Sequence, residues 1–191
     1  MNKLLLLDFG STFTNNIEKV LFDNNIGFIT KKHDCDISIL DDGIKGIIIS
    51  GSKDAVYDNG RRCDGLFFRS NRPVLGICYG HQLINDDFNG AVKKASVPEI
   101  DKKIVFNVEK DNPIFDGMNK EQNVAMFHGD EVVKIGDGFE CLGHTNDCKY
   151  AATYNKDYNI TTLQFHPECR KYTEFTDLYF INFAKICGIK Q

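Results

Sequence analysis

The chain has 191 residues, 42% hydrophobic and 26% charged, with a formal net charge of −4. Such a balance excludes a disordered or low-complexity chain and fits a single domain, residues 1–191, large enough to bury a core. The acidic charge, with no block of Lys or Arg longer than two, speaks against a nucleic-acid footprint. No apolar run approaches the roughly 20 residues of a membrane span.

The N-terminal "KLLLLDF" is too short for a signal-peptide core and no small-residue cleavage site follows, so it reads as a buried strand of a cytoplasmic protein. In "TNNIEKVLFDNNI", Ile17, Val20, Leu21 and Ile26 recur at helical spacing. "GFITKKH", "GIIIS" and "PVLGI" read as further strands, and their continuous apolar runs predict a sheet covered on both faces. Strands alternating with helices predict an α/β, doubly wound, mostly parallel sheet. After Gly90 the runs shorten and crowd ("KKIVFNVE", "NVAMFHGDEVV", "FECLGHT", "YAATYNK", "ITTLQFH"), which predicts a small antiparallel section in the C-terminal half. "NDDFNG" reads as an exposed helix end. A last helix, "EFTDLYFINFAKICGI", is expected to bury Phe175, Leu178, Tyr179, Asn182, Phe183 and Ile186. The seven cysteines form an odd set and are expected to be free thiols.

"PVLGICYGHQ" raises a chemical possibility. A cysteine flanked by glycines, between a buried strand and a helix, sits on a tight turn at a helix N-terminus that favours thiolate. The N–H of Tyr79 can then face a developing oxyanion. On these residues alone, a buried structural thiol is the commoner reading. Among the five histidines, His33 lies in a polar stretch and reads as solvated, while His81 falls in the first helical turn with its ring turned away. His166 ends the strand "ITTLQF" and is followed by Pro167 and Glu168, a base with a carboxylate able to orient it. A histidine merely satisfied at a strand end remains the alternative.

Together, "GICYGHQ" and "QFHPE" resemble the class I glutamine amidotransferase family, with "LLLLDFGSTFT", "GIIISGSKDAVYDNG", "MFHGDEV", "GFECLGHTNDCKYAA" and "INFAKICGI" matching in order along almost the whole chain. These intermediate stretches look most like the branch found in GMP synthetase. The resemblance implies a flavodoxin-like α/β domain that hydrolyses L-glutamine to glutamate and ammonia. In that reading Cys78 is the nucleophile, His166 the base and Glu168 its orienter. Backbone N–H groups at Gly51, Ser52 and Tyr79 form the oxyanion hole. Gln82, Phe127 and His128 fall at substrate-binding positions, and Asp130 at a partner contact. The implied partner is an ATP-pyrophosphatase subunit or domain that aminates XMP. ATP and Mg belong to that module, and this chain is expected to carry no cofactor.

The chain departs from the family pattern in reading Ser50-Gly51-Ser52-Lys53 where Ser-Gly-Gly-Pro is usual, and Phe127 where a serine usually precedes His-Gly-Asp. No pyrophosphatase loop is present, so the sequence reads as a separate subunit or as a domain of a longer protein. Two alternatives stand beside this reading: another class I enzyme such as a γ-glutamyl peptidase, and a silent amidotransferase-like regulatory module. "CLGHTNDC" offers Cys141, His144 and Cys148, but neither C-x-x-C nor a fourth ligand accompanies them, and no metal is expected.

Overall fold

The structure, a computed structural model, describes residues 2–189. Its strands are β1 (Lys3–Asp8), β2 (Phe28–Lys32), β3 (Ile44–Ile49), β4 (Val74–Ile77), β5 (Ala91–Val108), β6 (Glu121–Lys134), β7 (Phe139–His144), β8 (Ala152–Asn155) and β9 (Ile160–Leu163). The helices are α1 (Thr14–Asp23), α2 (Tyr79–Asp87) and α3 (Thr176–Ile186). All strands join one nine-stranded sheet in the order β2-β1-β3-β4-β9-β8-β7-β5-β6. No helix among the described residues is long and apolar enough to cross a membrane.

Alternation along the strands divides the core in two, because successive side chains leave a strand on opposite faces. Leu4 and Leu6 join Ile48, Phe106, Phe165 and Phe183 on the face that α1 and α3 cover. Leu5 and Leu7 join Ile47, Ile49, Leu83 and Ile84 on the face that α2 covers, together with short 3-10 turns at Ile37–Ile39 and Gly65–Arg69. Both faces are therefore covered, which is why these strands read as unbroken apolar runs.

The expectation of a mostly parallel sheet is only partly met. Strands β2, β1, β3, β4 and β9 run parallel, but every pairing from β9 through β8, β7 and β5 to β6 is antiparallel. The reason is local: β8 turns straight back into β9 through Lys156–Asn159, where Asn159 has φ 52, and a short turn can join only antiparallel neighbours. Strand β5 is also far longer than its apolar signal. It begins in "AVKKASVPEI", where paired lysines and Pro98 mask a strand. Pro98 is tolerated because it lies in an irregularity between Lys94 and Glu99, off the ladder. Two smaller expectations also shift. Helix α3 buries Thr176, Tyr179, Phe180, Asn182, Phe183 and Ala184, a stripe turned toward Phe180, with Phe175 left outside as a left-handed cap (φ 57). At the end of α2, Asn85 is fully buried, donating to the His81 carbonyl at 2.9 Å and accepting from the Gly136 N–H at 3.0 Å. Asp86 and Asp87 do face outward, each paired with an arginine (Arg62 and Arg69) at 2.6 Å.

Candidate active site

Cys78 occupies the one residue between β4 and α2, with φ 53 and ψ −102. A residue with a Cβ is strained there and persists only when its surroundings hold it. They do so from both sides: the Cys78 N–H donates to the Leu163 carbonyl at 2.8 Å, and its own carbonyl accepts from the Gln82 N–H at 3.1 Å. The flanking glycines permit the turn by absence of bulk. A Cβ on Gly80 would lie 2.6 Å from the Ile49 carbonyl oxygen, and one on Gly76 would lie 2.8 Å from that of Gly80. Tyr79 opens α2, so its N–H is among those with no partner within the helix. The Tyr79 ring turns away, donating to the Arg61 carbonyl, and burial pushes its hydroxyl up to about 12.

The sheet brings His166 to the same place. Ile77 pairs with Leu163 across β4 and β9, so the chain leaving β9 passes beside Cys78. There the His166 N–H donates to the Ala125 carbonyl at 2.9 Å, and its carbonyl accepts from the Thr173 hydroxyl at 2.8 Å. Thr173 also accepts from the Ala125 N–H at 3.0 Å, tying β6 to the segment after β9; its role was not legible in the sequence. His166 Nδ1 lies 2.7 Å from Glu168 Oε1, and the two residues are 3% and 1% exposed. Burial works against a charged ring here, but the Glu168 carboxylate and the nearby Cys78 sulfur outweigh it. The ring is held well above the ordinary histidine range.

Gly51 closes the site from β3. A Cβ there would lie 3.2 Å from His166 Cε1 and 3.6 Å from Cys78 Cβ. Its neighbour Ser52 is not among the residues with positive φ, so this backbone accepts a side chain where the family pattern has glycine. The Ser52 hydroxyl accepts from the Asp54 N–H at 3.2 Å and from Arg61 Nη1 at 3.3 Å, which fixes the loop. Ser11, Phe13, Ser52, Cys78, Phe127 and His166 line a cleft of about 200 Å³. Phe13 and Phe127 flank the His166 ring, with centroids 4.6 and 5.6 Å away. A larger cleft of about 420 Å³, around Asn112, Asn182 and Lys185, contains none of the predicted site residues.

Of the four residues expected to touch substrate or partner, Phe127 lines the cleft and three lie off it. Gln82 is buried behind the elbow, donating to the Asp130 carbonyl at 2.8 Å. His128 is also buried, with Nδ1 2.9 Å from that same carbonyl and Nε2 3.0 Å from Glu99. Asp130 is half-buried and accepts from the Tyr57 hydroxyl at 2.7 Å. His33, expected to be solvated, is half-buried with its ring 5.2 Å from that of Phe9. All seven cysteines are free thiols. Cys141 and His144 border a surface cleft, whereas Cys148 packs into the core.

The family described as glutamine amidotransferase class-I matches residues 5–186. GMP synthase [glutamine-hydrolyzing] of Lactobacillus johnsonii is 36% identical over 99% of this chain, and that of Staphylococcus aureus 37% identical over 98%. The chain spans only 37% and 36% of those relatives' lengths. Among solved structures, a GMP synthase subunit from Thermoplasma acidophilum superposes with a TM-score of 0.88 at 31% identity, over 98% of this chain and 94% of that one. A glutamine amidotransferase of Thermotoga maritima shares the fold, with a TM-score of 0.70 at 14% identity, over 98% of this chain and 94% of that one. Matched along residues 5–186 and bringing Cys78 and His166 side by side, this chain belongs to the class-I glutamine amidotransferases.

Proposed function

We propose that the chain hydrolyses L-glutamine to glutamate and ammonia and delivers the ammonia to a GMP synthetase ATP-pyrophosphatase. The observation that carries this reading is the meeting of Cys78 and His166 in one small cleft, from strand ends far apart in sequence, with Glu168 buried against the ring's Nδ1. Cys78 gives its proton to His166, and the thiolate forms a C–S bond to the side-chain amide carbon. The tetrahedral oxyanion lies between the Tyr79 N–H at the start of α2 and the backbone of Gly51 and Ser52. Its collapse breaks the C–N bond as His166 returns the proton to the leaving ammonia. Water, deprotonated by His166, then opens the glutamyl thioester and expels the thiolate. Glu168 keeps Nδ1 protonated and the ring in place throughout. No cofactor enters these steps; ATP and Mg act on the partner.

His128 and Asp130 lie behind the cleft rather than in it, which favours partner contact over substrate contact for Asp130, the more exposed of the two. The backbone at Ser52 favours an active enzyme over a silent module, because the substitution leaves the loop's conformation ordinary. The deciding assay is ammonia release from glutamine by this chain mixed with an ATP-pyrophosphatase subunit, ATP and XMP. Turnover that disappears in Cys78→Ala is expected. If glutamine never acylates Cys78 in the complete mixture, the proposal fails.

A further inference from the structure

We infer that Gln164 is a positioning residue for the nucleophile, and that Gln82 decides which end of the Gln164 amide faces the sulfur. The inference rests on the reading of Cys78 as the nucleophile. Gln164 is fully buried, two residues before His166, and its N–H is tied to the Ala151 carbonyl at 2.8 Å. Its side chain lies between Gln82 and Cys78.

The direction of the chain of amides follows by elimination. A backbone carbonyl can only accept, so the Gln82 atom 2.8 Å from the Asp130 oxygen must be its NH2 nitrogen. That nitrogen also reaches the Gln164 side chain at 3.2 Å, and two donors cannot bond each other. Gln164 therefore presents its oxygen to Gln82 and its NH2 to Cys78, where Nε2 stands 3.7 Å from Sγ, within range for a hydrogen bond to sulfur. His128 Nδ1 shares the Asp130 oxygen at 2.9 Å, so it donates as well, and both donors hold the same anchor. Each amide orientation is thus dictated from the β6 backbone inward.

An N–H aimed at sulfur matters most when the sulfur is a thiolate, since hydrogen bonds to charged groups are roughly twice as strong as neutral ones. Cys78 is a thiolate at two points in the cycle: before attack on the amide, and as the group expelled when water opens the thioester. His166 meets the sulfur as well, so Gln164 adds a fixed, uncharged donor that never takes the proton.

The test reads Cys78 itself and needs no glutamine turnover. Gln164→Glu keeps the shape and the acceptor toward Gln82 but replaces the donor with an oxygen. Gln82→Glu leaves Gln164 intact and presents it with an acceptor, which turns its amide so that oxygen faces the sulfur. The second-order rate of carboxamidomethylation by iodoacetamide is followed on the Cys78 peptide by mass spectrometry, in native chain whose fold is checked by near-UV circular dichroism. Both variants are expected to react about tenfold or more slowly at neutral pH, the order expected for a lost hydrogen bond to a charged group, with the alkylation pH profile moved upward. Folded variants that react at the wild-type rate would overturn the inference. Loss of the fold in both Glu variants would also overturn it, by marking the amides as structural ties. Fast alkylation of Cys78 without glutamine turnover would instead count against the proposed activity alone.

Discussion

At the scale of single residues, the site depends on groups held where their surroundings make them costly elsewhere. The Glu168 carboxylate is buried against His166 and holds the ring's proton. Glu168→Gln keeps the shape but removes that charge, and glutamine turnover is expected to fall by about 10²–10⁴-fold, the span of a general acid–base contribution. Steady-state kinetics with the partner present measure it. The sign of the linked stability term is also fixed. Because the folded ring's affinity for its proton is raised, its contribution is complete below the ordinary histidine range and is lost as pH rises through the raised value. Cys78 gives an inverted order at the elbow. With φ 53, this position suits glycine better than any residue with a Cβ, so Cys78→Gly should be more stable than Cys78→Ala, by about 1 kcal/mol in chemical denaturation. Elsewhere alanine usually wins. The grouping of Cys78, His166 and Glu168 was legible in the sequence because each sits beside a signal: glycines around Cys78, Pro167 after His166, and a carboxylate two positions on. Gln164 and Thr173 were not, because a buried amide and a hydroxyl look the same in sequence whether they serve the site or only a ladder.

At the scale of elements, α2 does more than hold Cys78 at its start. Its His81 is buried against β9, with Nδ1 2.7 Å from the Thr162 hydroxyl, and burial, reinforced by the charge of His128, lowers its pKa to about 3. The unfolded ring takes its proton near 6.5, so between those values the unfolded chain binds more protons and folding stability falls as pH drops. Over the first two units below 6.5 this one group accounts for at most about 2.7 kcal/mol. Urea unfolding at a series of pH values should therefore show a shallower acid-side slope in His81→Gln than in the native chain; equal slopes would assign the acid sensitivity to other groups. The helices and the buried parallel strands were legible from periodicity and apolar runs. The start of β5 was not, because its side chains largely face solvent and its ladder is interrupted at Pro98, so nothing in "AVKKASVPEI" alternates strongly enough to mark a strand. The stripe of α3 was misplaced by about a residue because apolar side chains surround most of that helix.

At the scale of the whole molecule, one sheet joins two constructions: a parallel half whose strands need crossovers, and an antiparallel half built by turning back. The β5–β6 ribbon supplies Ala125, which holds His166, and Phe127, which flanks it, so the second half builds a wall of a cleft whose Cys78 belongs to the first. The side-by-side pairing of β4 with β9, Val74 with Ile160 through Ile77 with Leu163, has a consequence in time. Contacts so distant along the chain form late, after the loop between them has closed. A growing chain therefore exposes Cys78 long before His166 exists to receive its proton. During refolding from urea, Cys78 should acquire its distinctive rate of alkylation only with the final, slowest recovery of structure. Until then it is expected to react as an ordinary thiol.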